Sequence, residues 1–270
     1  MTATTDSLPA GRASYDPQFF PKIAAVEDRH FWFSARNRII AAAVRTVIGG
    51  LATGYRVLEV GCGTGVVLRQ LVEVCHGAEV VGIDLFPEAV AFASRRASCR
   101  VLVGDALNPP ALGEFDVVGM FDVLEHLPDD RAILRGLGRF LKPGGALILT
   151  VPAHMSLWSY FDVSASHCRR YEREELEAKL IETGFKVAYV TEFMMTLFPL
   201  VWAGRRLNGG RRPVAREVAD ARTAKELKVI PGVNGLLKSM LSLEAAPIAH
   251  GWRLPKGTSI LAIARKPALS

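Results

Sequence analysis

From Tyr55 onward the apolar positions fall into two alternating textures. YRVLEV, AEVVGID, RVLVGDA, FDVVGMF and ALILTVPA are nearly continuous apolar runs, the pattern of strands buried on both faces. Between them, TGVVLRQLVEVC, PEAVAFASRRA and DDRAILRGLGRFL repeat their apolar residues every three or four positions, as helices do. In the last of these, Ile133, Leu134, Leu137, Phe140 and Leu141 align on one face, and KPGG reads as the stop signal. REELEAKLIETG adds a helix ended by Gly184; FKVAYVTEF and GTSILAIARK add a sixth and a seventh strand. Strand–helix alternation of this kind predicts an α/β fold. Such a fold would hold a mostly parallel sheet with helices on both faces.

The flanking segments break the alternation. Residues 1–14 are polar and read as a disordered N-terminus. Residues 15–50 read as a helical cap, with Ser34 as N-cap of a helix carrying Ile39, Ile40, Ala43, Val44 and Val47. The core is then 51–193 plus 257–266. Residues 194–256 form a helical insertion before the last strand, far longer than a hairpin requires.

Charge narrows the picture. The net +6 is concentrated in residues 203–228, with eight Lys/Arg against three Asp/Glu. The rest is nearly neutral, so no nucleic-acid partner is expected. The four cysteines, Cys62, Cys75, Cys99 and Cys168, make no C-x-x-C pair, and the polar start of the chain lacks the apolar core of a secretory leader. These features predict free thiols and a cytoplasmic protein. FMMTLFPLVWAG, the longest apolar run, is too short to span a bilayer.

The chemistry concentrates after the first strand, in VLEVGCGTG. Ligands of open parallel sheets bind at the carboxyl ends of the strands, and glycines there let a ligand lie against bare backbone. A dinucleotide turn needs G-x-G-x-x-G, but position 66 is Val. Glu59, two residues before the turn, would repel a pyrophosphate and suits a cationic ligand. Glu59, Asp84 and Asp105 each close a predicted strand on this edge; a strand-end acid can also simply cap the next helix.

VLEVGCGTG resembles the first motif of the class I S-adenosylmethionine-dependent methyltransferases. VVGID, GDA, FDVLEHLPD and LKPGGALIL resemble that family's later motifs, in register, over roughly residues 30–192 and 257–266. The resemblance implies a Rossmann-like α/β fold, a seven-stranded, mostly parallel sheet whose last strand is antiparallel, with S-adenosylmethionine as cofactor. It implies cofactor binding by Glu59, Gly61, Gly63, Gly65, Asp84, Leu85, Asp105, Ala106 and Phe121. It also implies methyl transfer to a small-molecule or lipid-like acceptor by in-line displacement. A nucleotide-cofactor oxidoreductase and a catalytically silent S-adenosylmethionine-binding module are the alternatives.

An acceptor that must lose a proton needs a base, typically His. Of six histidines, His167 in SHCRRY is the first choice, with Arg169, Arg170 and Tyr171 beside it to bind or orient the acceptor. His126 and Tyr171 complete the catalytic candidates; Trp32, His154, Arg169 and Arg170 are the substrate-binding candidates. The D-x-x-E-H string could bring Asp122, Glu125 and His126 onto one helical face, as in the E-x-x-E-H metal sites of some relatives. The ligand set is incomplete in the sequence, so no metal is expected. The insertion could be a lid over the acceptor, a homodimer surface, or a peripheral contact with the inner face of an anionic membrane. Phe198, Trp202, Arg205, Arg206, Arg211 and Arg212 fit the membrane use.

Overall fold

The computed structural model describes residues 16–108, 110–207 and 214–268; the N-terminal stretch 1–14, expected to be disordered, lies outside them. Seven strands form one sheet: β1 (Arg56–Val60), β2 (Glu79–Asp84), β3 (Arg100–Val103), β4 (Phe115–Phe121), β5 (Leu141–Pro152), β6 (Lys186–Phe193) and β7 (Ser259–Arg265). Their order is β3-β2-β1-β4-β5-β7-β6. β1 to β5 pair in parallel. β7 runs antiparallel to both β5 and β6, so the reversed strand lies inside the sheet and β6 forms the edge.

Alternate side chains feed the two faces. Val57 packs with α2 (Phe31–Ile48) and α3 (Val66–Val74). Leu58 and Val60 pack with α5 (Asp130–Phe140) and α7 (Arg173–Glu182). α4 (Pro87–Arg96) connects β2 to β3. This two-layer burial explains why the strands read as unbroken apolar runs.

Two sequence expectations shift. The long N-terminal helix begins at Phe31, not after Ser34: His30 is extended and its Nδ1 accepts the Trp32 N–H at 3.3 Å. Phe31-Trp32-Phe33 therefore form its first turn. KPGG does not precede the fifth strand but lies within β5, where the pairing with β4 slips between Phe115 and Val117.

The insertion folds into α8 (Phe198–Leu207), α9 (Arg216–Glu226), α10 (Pro231–Ser242) and α11 (Ala245–Ala249). α10 and α11 pack along α2, while α9 packs on the short α6 (Tyr160–Ser164). The N-terminal cap and the insertion are stitched together: Phe31 N–H donates to Asn234 Oδ1 (2.7 Å) and Asn234 Nδ2 donates to the Arg29 carbonyl (2.9 Å). Buried Glu244 holds the entry to the insertion by accepting from Met195 N–H, Thr196 N–H and Thr196 Oγ1.

Candidate active site

A cavity of about 660 Å³ opens where β1, β2 and β4 end. Its wall includes the glycine turn, the strand-end acids, α2, the loop around His167, and α8 and α9 of the insertion.

On the glycine side, backbone conformation decides which residues can sit there. Gly61 (φ +73°) would place a Cβ 2.6 Å from Val123 Cγ2, so any larger residue collides. Gly63 (φ +53°) has only Phe20 Cε1, at 4.0 Å, near its missing Cβ, which leaves bare backbone facing the cavity. Asp84 locks the turn: its Oδ2 accepts the Gly63 N–H (2.8 Å) and its Oδ1 the Phe86 N–H (3.0 Å). Burial still pushes the Asp84 carboxyl upward against these bonds.

Glu59 is buried, and its Oε2 has no hydrogen-bond partner among the described residues. Burial raises its carboxyl well above the usual range, with the Arg36 charge pulling the other way. A lone buried carboxyl oxygen is costly unless a donor or cation meets it. Bare backbone, an unfilled acid oxygen and a second strand-end acid fit an adenosyl donor that carries cationic groups and no phosphate.

Leu85, Asp105, Ala106 and Phe121 also line the cavity, although Asp105 already accepts from Leu107 N–H (2.8 Å) and Asn108 Nδ2 (3.3 Å). Gly65 does not face the cavity. Its φ of +83° caps α3, and a Cβ there would meet Ala93 Cα at 2.6 Å, so it serves the packing of α3 on α4.

The short helix α1 (Phe19–Ala24) covers this end with Phe19, Phe20 and Ile23. Buried Glu27 fastens the cover by accepting from Thr64 Oγ1 and Arg96 Nη1, and Arg96 Nη2 donates to the Ala24 carbonyl (3.0 Å). Sequence reasoning missed Glu27, Thr64 and Arg96: the three are scattered along the chain, with no spacing that would pair them.

The other side is built from the turn after β4 and the segment after β5. Asp122 takes a left-handed conformation (φ +54°) and pairs with Arg36 at 2.8 Å. Leu124–His126 is a single 3-10 turn, too short for the expected helical face. The group that converges instead is Glu125, His126 and His167, whose candidate ligand atoms all lie within 4.8 Å of one another. Asp122 is thus replaced in the sequence-derived set by His167, and the expectation of no metal meets a trio able to hold a divalent cation.

Glu125 is 1 % exposed, and neither carboxyl oxygen has a hydrogen bond among the described residues. Burial, reinforced by the Asp122 charge, raises its carboxyl well above normal. Burial lowers His126 to about 3, helped by the neighbouring His167, which makes it a neutral imidazole near neutral pH. The His126 and His167 rings meet edge to face, 4.8 Å between centroids. His167 lines the cavity with its Nε2 3.9 Å from Glu125 Oε1 and its Nδ1 2.9 Å from Asp162 Oδ1.

Of the other expected acceptor residues, Trp32 and Arg170 line the cavity. Tyr171, Arg169 and His154 do not. Tyr171 is fully buried with its hydroxyl 3.1 Å from Asp130 Oδ2, and burial pushes its phenol upward. Arg169 donates to Asp130 (2.8 Å) and to the Pro128 carbonyl (2.6 Å). Lys179 completes that ion cluster behind the cavity wall, 2.6 Å from Asp130. His154 has both ring nitrogens engaged, Nδ1 to Glu172 at 2.7 Å and Nε2 to Glu192 at 2.8 Å. All three correct the sequence reading: they are fixed by partners outside the cavity.

A methyltransferase-domain family matches residues 28–190. The chain belongs to this family, the class I S-adenosylmethionine-dependent methyltransferases. It is 41 % identical over 104 residues to a protein named ubiquinone biosynthesis O-methyltransferase from Xanthomonas oryzae pv. oryzae, covering 36 % of this chain and 43 % of that one. The chain thus spans less than half the length of that relative. A protein of the same name from Idiomarina loihiensis is 28 % identical over 181 residues, 61 % of this chain and 72 % of that one.

Among solved structures, a complex of the Haloferax volcanii Trm112 methyltransferase activator with a methyltransferase superposes with a TM-score of 0.61. It is 20 % identical and covers 93 % of this methyltransferase chain and 97 % of the matched one. Haemonchus contortus phosphoethanolamine N-methyltransferase 2 with S-adenosyl-L-methionine gives 0.53 at 25 % identity, covering 84 % of this chain and 51 % of that one.

Proposed function

We propose that this methyltransferase transfers a methyl group from S-adenosylmethionine to a hydroxyl of a small, largely apolar acceptor. One observation carries the reading: the same cavity is lined by the glycine turn with its acids and by His167 with an apolar wall from the insertion. The bound donor supplies a methyl group made electrophilic by its sulfonium. Glu59, Asp84 and the Gly61–Gly63 backbone hold that donor. Trp32, Phe161, Leu197 and Val201 exclude water and fix the acceptor, which lowers the barrier by avoiding reorganisation. His167 takes the hydroxyl proton at Nε2 as the oxygen–methyl bond forms, a contribution of about 10²–10⁴-fold. The naming of the bacterial relatives as O-methyltransferases supports oxygen as the accepting atom.

A second reading is favoured by Glu125, whose buried oxygens lack partners. Glu125, His126 and His167 would hold a divalent cation, which would lower the pKa of an acceptor hydroxyl. Single-turnover transfer from tritiated donor to a panel of phenols decides between the two. The base reading expects activity to survive chelation and to collapse in H167N. Activity lost on chelation and restored by Mg²⁺ or Mn²⁺ establishes the metal reading, and H167N at full rate without metal overturns both.

Peripheral membrane contact through residues 194–256 is supported by exposure. Nine of the eleven exposed large hydrophobics among the described residues lie in that segment. Val233 and Leu236 of α10 and Leu243 at its C-terminal cap share one exposed helical face. No described helix is long and apolar enough to cross a membrane. Flotation with vesicles containing phosphatidylglycerol is expected to carry the protein and to release it with salt. A salt-insensitive dimer that does not float would instead assign this face to a second copy.

A further inference from the structure

His167 owes its position to a carboxylate that never reaches the cavity wall. α6 opens with a capping box: Ser159 N–H donates to Asp162 Oδ2 at 2.8 Å, and Phe161 N–H donates to Ser159 Oγ at 3.2 Å. After α6, Ser166 takes a left-handed conformation (φ +58°) that turns the chain back on itself. His167 N–H then donates to the Asp162 carbonyl at 2.9 Å. The same reversal brings His167 Nδ1 to Asp162 Oδ1 at 2.9 Å. Arg170 Nε donates to that oxygen at 2.7 Å, and Arg170 Nη1 is anchored on the Ala153 carbonyl at 3.1 Å. Asp162 is 0 % exposed, so it has no alternative partners in water.

An ionised carboxylate only accepts hydrogen bonds. The Arg170 charge beside Asp162 favours that ionised form. The ring nitrogen facing it must therefore carry the proton, and a neutral imidazole has only one proton to place. We propose that Asp162 is a positioning residue that fixes His167 as the Nδ1–H tautomer and presents a bare Nε2 lone pair towards Glu125 and the cavity. The proposal rests on the reading that His167 acts in this cavity. It holds whether Nε2 takes a proton from the acceptor or coordinates a cation, because a carboxylate behind the ring orients a histidine for either task.

Long-range ¹⁵N–¹H correlation spectra of ¹⁵N-histidine-labelled full-length protein at pH 8.5 read the tautomer directly, with H167Q supplying the assignment. The expected spectrum shows His167 protonated at Nδ1 and bare at Nε2. A His167 protonated at Nε2, or at both nitrogens, overturns the proposal whatever the activity assays show. In D162A the ring is expected to shift towards the Nε2–H form. Its kcat is expected to fall by about 10²-fold at unchanged KM for the donor, an effect of the size seen when such supporting carboxylates are removed. D162N, which keeps one acceptor oxygen, is expected to recover part of both effects. An unchanged tautomer in D162A also overturns the assignment. Because the wild-type spectrum requires no turnover and no variant, a failure of methyl transfer to hydroxyls leaves it readable.

Discussion

His154 and His167 lie on the same stretch of chain after β5, and each is held among carboxylates. His154 sits between Glu172 and Glu192 with both ring nitrogens in short contacts of 2.7 and 2.8 Å. His167 meets Asp162 at 2.9 Å on one side, but on the other its Nε2 is 3.9 Å from Glu125. Only His167 lines the cavity. The chemistry of the two neighbourhoods is alike, yet one histidine is saturated and the other keeps an atom available. A saturated histidine cements the fold, tying the loop after β5 to β6 and, through its edge-on contact with Phe198 (5.6 Å), to α8. Under the function proposed above, one unfilled position on the His167 ring is what separates a cluster that serves chemistry from one that serves structure.

The contrast can be broken most directly by H167A. The expected result is a fall in kcat of about 10²–10⁴-fold, with donor affinity by titration calorimetry unchanged. An H154A variant with the same kinetic loss would erase the distinction. Instead, H154A is expected to lose about 3 kcal/mol of stability by leaving the Glu192 charge buried with only the Gly257 N–H (2.7 Å) to meet it, with kcat per folded molecule nearly intact. Denaturant unfolding measures the first quantity and burst-normalised turnover the second.

Acid and base should separate the clusters next. Burial alone would raise Asp162, but Arg170 and His167 outweigh it and hold it at about 2, below its ordinary 3.8. Its stabilisation is complete above pH 3.8 and is lost as the pH falls through 2, a contribution of about 2 kcal/mol. Hydrogen bonds to Glu192 and Glu172 raise the His154 pKa, against burial. Its stabilisation is complete below about pH 6.5 and fades as the pH rises through the raised folded value. Melting curves across pH are expected to lose the alkaline slope in H154A and the acid slope in D162N. The smallest effect is expected for E172Q: Glu172 is half exposed, so its loss should cost about 0.5 kcal/mol by denaturant unfolding.

The core was legible because burial on both faces writes itself into the strands as continuous apolar runs, and the bare glycine positions follow from the turn they must make. The start of α2 was misread because Ser34 has the right side chain for a cap, whereas the observed cap is a histidine ring that no propensity favours. The D-x-x-E-H set failed because it assumed a helical period where the chain makes one 3-10 turn. Asp162 was invisible for a different reason. It stands five residues before His167, and only the left-handed turn at Ser166 brings the two side chains together. The seam between α2 and α10 rests on Asn234, more than 200 residues from Phe31, and local pattern carries no trace of such a bond.

The insertion leaves and re-enters the sheet at one point: Phe193 and Ser259 are direct register partners on β6 and β7, and Thr258 N–H donates back to the Phe193 carbonyl at 3.0 Å. Sixty-odd residues can lengthen, shorten or be exchanged beyond that clasp at little entropic cost, since closure grows only logarithmically with loop length. If the insertion walls the acceptor as proposed above, selectivity for what is methylated can diversify like an interchangeable cartridge, while the strand ends that grip the donor stay in register.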